Sequence, residues 1–175
     1  MIKKYIYFLL IFALPLGAKM LISPIDAMKQ NYGSESTIVK KNVLLSKQQA
    51  KVIQQEAKVK LDSKIFRTFK ASKDGKTLGY GILINKKVRS KNAAVIYFIS
   101  TSSKLEGIEI IAFNEPPEYL PSKEWNSQFE DIPTDKMLRV SKEIPTITGA
   151  TLSARSITDG SRLAFAFYNE VLKDK

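Results

Sequence analysis

Four strand-like segments follow one another between Lys64 and Phe113, and this run constrains the fold more than any other feature. The first, KIFRTFKAS, alternates apolar and polar residues, and Asp74–Gly75 supplies a hairpin turn to the second, Leu78–Asn85. The third, Asn92–Ser100, is almost continuously apolar, which predicts a strand buried on both faces; Leu105–Phe113 is the fourth. Short connections between consecutive strands favour a twisted antiparallel sheet.

Helical patterns flank this run on both sides. Ser46–Lys60 begins with the spacing of a capping box, and Ser156–Leu172 carries an apolar face. A shorter helix capped by Ser122 is predicted in the proline-rich stretch, where it would carry Trp125 and Phe129. The fold class predicted is therefore α+β, an antiparallel twisted sheet with flanking helices.

The N-terminus has the pattern of an export signal. Lys3 and Lys4 precede an uncharged apolar stretch, Tyr5–Ala18, which is shorter than the roughly 20 residues of a membrane-spanning helix. We expect residues 1–18 to be a signal peptide cleaved after Ala18, or an uncleaved N-terminal anchor. Residues 19–42 are predicted to be a tether or irregular entry segment, and residues 43–175 the folded domain. The chain is therefore expected to be exported, either periplasmic or otherwise extracytoplasmic.

Composition removes several kinds of chemistry. The 175 residues include no cysteine and no histidine, which excludes thiol nucleophiles, imidazole general bases, haem with an axial histidine and the usual zinc sites. No metal site is predicted. The formal net charge of +11 suits anionic lipid or an acidic partner, but the lysines are scattered and include only short runs such as residues 85–91. We interpret them as a solvated basic surface and expect no nucleic-acid partner.

The segment Thr148–Thr151, TGAT, lies where a loop enters the last helix. Gly149 permits a positive φ, Ala150 adds little bulk, and the first amides of a helix are unpaired donors. Together they suit a phosphate, although a hydroxyl-rich segment before a helix is also typical of a simple helix cap.

The longer stretch TGATLSARSITDGSR resembles the attachment segment of the FMN-binding domain family. Members of that family include the flavin-bearing subunits of the sodium-translocating quinone reductase and of the related ferredoxin-oxidising complex. The resemblance implies that FMN is the cofactor and that a flavin transferase links it to Thr151 through a phosphoester, with Thr148, Gly149 and Ala150 shaping the site. Leu152 and Ser153 match the family's apolar and hydroxyl positions, and FNEPPEYLPSKEW fits the same family.

One position departs from the family pattern. An aspartate usually stands three residues before the first hydroxyl residue of the motif, whereas this chain has Pro145 there and its nearest carboxylate at Glu143. Three alternatives follow: Glu143 substitutes, modification is inefficient, or FMN binds without a covalent bond.

Other residues are candidates for supporting roles. Trp125 could form an aromatic wall for the flavin or be a core residue of its helix. Glu115 and Glu118 could bond the ring or ribitol, or could belong to a solvated loop. Arg155, in the turn after Thr151, could neutralise the phosphate.

Two further charged residues have structural interpretations. Arg162 is expected to be a surface charge. Asp159 could pair with either arginine, Arg155 or Arg162, along the last helix.

The function predicted is an exported FMN-binding flavoprotein that relays electrons at the outer face of the cytoplasmic membrane. Its partners would be a membrane redox complex or a soluble carrier, besides the flavin transferase, and its basic surface could touch the membrane. Two alternatives are a flavin-dependent reductase of a small extracytoplasmic substrate and a non-redox binding module that has lost flavin.

Overall fold

The computed structural model describes residues 20–173, which form an antiparallel sheet of six strands in sequence order. The predicted α+β class is confirmed, and each of the four predicted strands is present. The strands are β1 (Thr37–Leu44), β2 (Ile65–Lys73), β3 (Lys76–Lys87), β4 (Asn92–Ser100), β5 (Lys104–Phe113) and β6 (Ile132–Pro133). The hairpin between β2 and β3 turns at Asp74–Gly75, where both residues have positive φ.

Helices cover both faces of the sheet. They are α1 (Pro24–Tyr32), α2 (Lys47–Ala57), α3 (Lys123–Asn126) and α4 (Thr151–Phe167), and α4 continues as a π-helical turn over Tyr168–Leu172. The capping box of α2 is present, and the Ser122 hydroxyl caps α3, as predicted. The last helix begins at Thr151 and not at Ser156, so the motif leads directly into its first turn and Thr151 is the first helical residue. Among residues 20–173, no helix is long and apolar enough to cross a membrane.

The predicted irregular segment at residues 19–42 is wrong for most of its length. The Ser23 hydroxyl caps α1, which buries Ala27 and Met28 against the sheet. Strand β1 then pairs with β2 along its whole length, from Thr37 to Leu44. As an edge strand, β1 has few buried side chains, so its sequence lacks the apolar alternation that reveals a half-buried strand. The predicted signal at residues 1–18 lies outside the described residues.

The central strand β4 is buried on both faces, as its continuous apolar sequence predicts. Val95, Tyr97 and Ile99 belong to the larger core, which α2 and α4 cover. Ile96 and Phe98 point to the other face and join a second core beneath α1. The sheet is therefore the middle layer of three, which is why this stretch carries no polar alternation.

Helix α4 packs closely on the sheet at the point where Gly160 contacts Tyr97 of β4. The fully buried Tyr97 ring lies against Gly160, and its hydroxyl donates a 2.8 Å hydrogen bond to the Ile157 carbonyl. At the C-terminal end of α4, the Phe167 ring stacks on Phe66 of β2 with ring centroids 4.3 Å apart. These contacts determine where the first turn of α4, and therefore the motif, lies relative to the ends of the strands.

Gly160→Ala tests this contact. Helix propensity alone would make alanine stabilising by up to about 1 kcal/mol. A Cβ at this position would collide with the Tyr97 ring and hydroxyl, so we expect a destabilisation of about 1–3 kcal/mol in urea unfolding. The same change in a Tyr97→Phe background should cost less, because the colliding hydroxyl is gone. An equal cost in both backgrounds would contradict the proposed contact.

Candidate flavin site

The motif forms the entry to α4. Gly149 adopts a φ of +77°, which a residue with a side chain rarely does, and this lets the chain turn into the helix. Ala150 occupies the cap position, and no side chain caps this end of the helix. The backbone N–H groups of Thr151 and Leu152 precede the first helical hydrogen bonds, so they are free to bind an anion.

Most hydroxyl groups in α4 have structural roles. Ser153 is buried and donates a 2.7 Å hydrogen bond to the Tyr119 carbonyl, which ties the helix to the loop after β5. Ser156 donates to the Lys87 carbonyl at 3.2 Å, which ties the helix to the end of β3. The remaining buried hydroxyls of α4 bond to carbonyls of the helix itself. Thr151 differs from all of them because its side chain is exposed.

A cavity of about 370 Å³ opens beside Thr151, between the start of α4, the β3–β4 turn and the loop after β5. We call it the motif cavity; its lining residues are Val88, Arg89, Glu115, Tyr119, Gly149, Ala150, Thr151, Leu152 and Ser153. Five consecutive residues that were predicted to form the site, Gly149 to Ser153, thus meet the predicted Glu115 in one place.

Glu115 organises the wall of this cavity. Its Oε1 accepts backbone hydrogen bonds from Arg89, Ser90 and Lys91, and its Oε2 accepts one from the Ser90 hydroxyl. The pKa of Glu115 is lowered to about 2, chiefly because these backbone amides stabilise the charged carboxylate. Glu115 is buried and holds the β3–β4 turn, so it is neither a residue of a solvated loop nor free to bind the flavin through Oε1.

Three residues of the motif cavity, Val88, Arg89 and Tyr119, were missed by sequence reasoning. The Arg89 guanidinium lies 5.8 Å from the Tyr119 ring centroid and donates to the Tyr119 hydroxyl at 3.3 Å. Arg89 belongs to the basic run at residues 85–91, which reads as surface charge, and Tyr119 is one ordinary residue of the proline-rich loop. Arg89 and Tyr119 meet because the Glu115 carboxylate binds the backbone amides of the β3–β4 turn and so holds this turn against the loop after β5.

A second cavity, of about 350 Å³, lies on the other side of Thr151. Arg155, one helical turn after Thr151, lines it and is exposed, so it lies where a phosphate on Thr151 would need a cation. Arg162 also lines it but is not a plain surface charge. It is half-buried and forms an ion pair with Asp159, one of the two pairings predicted.

Three predicted site residues lie away from the motif cavity. Trp125 is a core residue: it packs against Phe129 with centroids 5.2 Å apart, and its Nε1 donates to the Pro145 carbonyl at 3.0 Å. It therefore braces the segment that leads to the motif and does not form a wall of this cavity. Thr148 and Glu118 are exposed and line neither cavity beside Thr151.

Glu143, the carboxylate nearest to Pro145, is already engaged. Arg139 donates to both of its oxygens, at 2.9 and 3.3 Å, and this interaction lowers the pKa of Glu143 to about 2. The Glu143 carboxylate is therefore held against the Arg139 guanidinium by an ion pair.

Comparison with known families identifies the class of this site. Residues 90–166 match the model of the FMN-binding domain family, and the matched segment contains Glu115, Tyr119 and the whole TGAT motif. A comparison with curated proteins gave no match. Residues 90–166 are therefore an FMN-binding domain by this match, and FMN is the cofactor that it indicates.

The described residues fit FMN. Free amides at the start of α4 and the Arg155 cation suit a phosphate, and the Tyr119 ring with Val88 and Leu152 supplies apolar surface for a flavin ring. Val88 and Arg89 precede the matched segment, so this part of the cavity wall comes from the β3–β4 turn of the present chain.

Glu115→Gln should show how much the carboxylate clamp contributes to stability. Because its folded pKa is about 2 and the unfolded value about 4.3, the stabilisation is present above about pH 4.5 and disappears as pH falls toward 2. Urea unfolding at several pH values should therefore show Glu115→Gln less stable than wild type at pH 7, with the difference vanishing toward pH 2. The exposed neighbour Glu118→Gln serves as the control and should match wild type at pH 7; a constant Glu115→Gln deficit at every pH would refute the clamp.

Proposed function

We propose that this protein is an exported flavoprotein that relays electrons at the outer face of the cytoplasmic membrane, with FMN joined to Thr151 by a phosphoester. The observation that carries the proposal is the exposed Thr151 hydroxyl at the start of α4, flanked by the motif cavity and by Arg155. A flavin transferase would form the bond between Thr151 Oγ and the flavin phosphorus by breaking the O–P bond to a leaving group on an activated flavin nucleotide, with release of the threonine hydroxyl proton.

The residues around Thr151 support a phosphate there. The positive end of α4 and the Arg155 side chain favour the negative charge, and Gly149 has no Cβ to crowd it. The helix end contributes only about 0.3–1 kcal/mol at an exposed site, which is too little to retain a nucleotide. A covalent bond removes this limitation because the flavin then stays at the site whatever its affinity.

The motif cavity favours electron relay over catalysis on a separate substrate. Bound FMN supplies the redox chemistry by accepting and donating electrons. The only carboxylate of the cavity, Glu115, is held by backbone amides, and the chain has no histidine or cysteine to move a proton. The lining residues are thus equipped to hold and orient a flavin, and a redox complex in the membrane or a soluble carrier would exchange electrons with it.

The N-terminal sequence supports export. Lys3 and Lys4 followed by the apolar stretch Tyr5–Ala18 have the features of a signal peptide or a membrane anchor. An exported protein must keep a cofactor that is made in the cytoplasm, which is a further reason for a covalent bond.

Thr151→Ala should abolish covalent attachment. The chain is co-expressed with a flavin transferase, exported, denatured and examined by in-gel fluorescence and intact mass. Wild type should fluoresce and gain the mass of one FMN less one water, and Thr151→Ala should be dark. Thr148→Ala, which removes the other hydroxyl flanking the Gly-Ala pair, should remain fluorescent, and a bright Thr151→Ala band would refute the assignment.

Pro145→Asp should increase the fraction of chain that carries flavin. It restores the acidic residue of the family pattern, and because Trp125 bonds the carbonyl of residue 145, the substitution leaves that hydrogen bond available. The measurement is the flavin-bearing fraction by intact mass at early times of transferase expression. Pro145→Asn is the matched uncharged control, and an unchanged fraction in Pro145→Asp would show that the aspartate is not what the transferase requires.

A further inference from the structure

Apolar side chains are exposed together at one end of the sheet, on the face that α1 only partly covers. Five of the eight large apolar residues that are exposed lie in α1, at the end of β1, at the start of β2 or in the chain entering α1; they are Met20, Leu21, Ile25, Leu44 and Ile65. Scattered exposed apolar residues need no explanation, but a contiguous patch indicates a binding surface.

The strand register aligns part of this patch into a row across the sheet. Leu44 of β1 is paired with Ile65 of β2, Ala94 of β4 with Ala112 of β5, and Met20 forms a bridge to Ala112. The exposed fractions of Leu44, Ile65 and Met20 are 73%, 61% and 63%. These five residues, which we call the apolar row, form two groups, Leu44 with Ile65 and Ala94 with Ala112 and Met20, and the exposed Asn85 of β3 lies between the two groups.

A groove of about 750 Å³ runs along four residues of the apolar row, Met20, Ile65, Ala94 and Ala112, and Leu44 lies beside its Ile65 end. Strands β2 and β3 are paired only as far as Arg67 and Leu83, so their ends separate and the groove reaches the buried side chains of Phe66 and Leu163. Its rim carries the cations Arg67 and Lys86 against one carboxylate, Asp62. Neither cation belongs to any of the three ion pairs among residues 20–173.

The chain itself indicates what covers this surface. Residues 1–19 lead directly into Met20, which lines the groove, and they include the uncharged apolar stretch Tyr5–Ala18. If that stretch enters a bilayer, Met20 is at the bilayer surface, and the adjoining apolar row with its cationic rim faces the lipid. Apolar side chains flanked by cations are the combination that binds an anionic lipid surface.

We propose that the apolar row and its groove are a docking surface for an anionic lipid bilayer. The surface bears directly on the flavin because groove and motif cavity are neighbours. Lys86 of β3 lines the groove, and Val88, two residues later in the β3–β4 turn and about 7 Å further along the extended chain, lines the cavity. After β5, Ala112 lines the groove and Glu115 the cavity. Docking therefore holds the motif cavity beside the membrane surface, within reach of a redox partner embedded there.

Spin labels test the docking on the full chain, which has no cysteine of its own. Leu44→Cys and Ile65→Cys place a nitroxide on the β1 side of the apolar row, about 20 Å across the sheet from Met20. Lys51→Cys, exposed on α2 on the opposite face, is the matched control. Each protein is measured with phosphatidylglycerol-containing vesicles and with vesicles of phosphatidylcholine alone.

The readout is relaxation of the label by oxygen relative to a water-soluble paramagnetic relaxant, a ratio that increases inside a bilayer. We expect it to rise with anionic vesicles at Leu44→Cys and Ile65→Cys, to rise less with phosphatidylcholine, and to stay constant at Lys51→Cys. Adding Ile65→Glu to the Leu44→Cys protein should remove the rise. Adding Lys51→Glu, which changes the net charge by more, should leave it.

Several results would overturn the proposal. One is a chain that floats with the vesicles while the ratios at Leu44→Cys and Ile65→Cys stay constant, because only the N-terminal stretch would then be in the membrane. A rise that depends on protein concentration without vesicles would mean that a second copy covers the row.

The docking rests on the anchored form of the proposed function but not on the flavin, so the Thr151→Ala protein should dock as wild type does. Loss of flavin attachment and loss of docking are thus scored separately.

Discussion

The contact between Gly160 and the Tyr97 ring is the constraint on which the rest of the site depends. A helix can approach a strand this closely only where it has no Cβ, and the bond from the Tyr97 hydroxyl to the Ile157 carbonyl then determines the axial position of α4. The first turn of the helix is thereby carried to the end of the sheet where β3 and β5 finish. The placement of Thr151 is therefore a consequence of packing in the middle of α4, far from the motif itself.

A few polar contacts connect that helix to the cavity wall. Ser153 and Ser156 reach carbonyls of the loop after β5 and of β3, and Glu115 gathers the amides of the β3–β4 turn. Buried polar groups of this kind are costly unless they are bonded, so a network in which each has a partner specifies one arrangement of three separate chain segments. The side chains of Tyr119 and Arg89, which line the motif cavity, are positioned by this network.

The same end of the sheet carries two different surfaces. The motif cavity is bounded by α4, whereas the groove opens on the other side, where the ends of β2 and β3 separate. Because β3 and β5 contribute to both surfaces, the distance between them is determined by a few residues of extended chain. A flavin domain with this arrangement can present its cofactor next to the surface on which it rests.

The sequence by itself determined strands β2 to β5, helices α2 to α4 and the cofactor class. Alternation and turn residues revealed β2 and its hairpin, a continuous apolar run revealed the central β4, and the stretch around TGAT indicated the FMN-binding domain. These features are encoded by neighbouring residues, which is why local patterns suffice. Strand β1 escaped prediction because an edge strand buries few side chains and so has no such pattern.

Only the tertiary structure decided which residues meet. Trp125 looked suited to a flavin wall but became a core residue, because the chain around Pro145 passes over its indole nitrogen. Glu115 looked suited to a ligand contact but closes a turn that lies more than twenty residues earlier in the chain. No sequence pattern pointed to Arg89 or Tyr119 as site residues. They meet only because Glu115 holds the β3–β4 turn against the loop after β5. Contacts between residues distant in sequence depend on how the layers pack, and no local pattern in the chain records them.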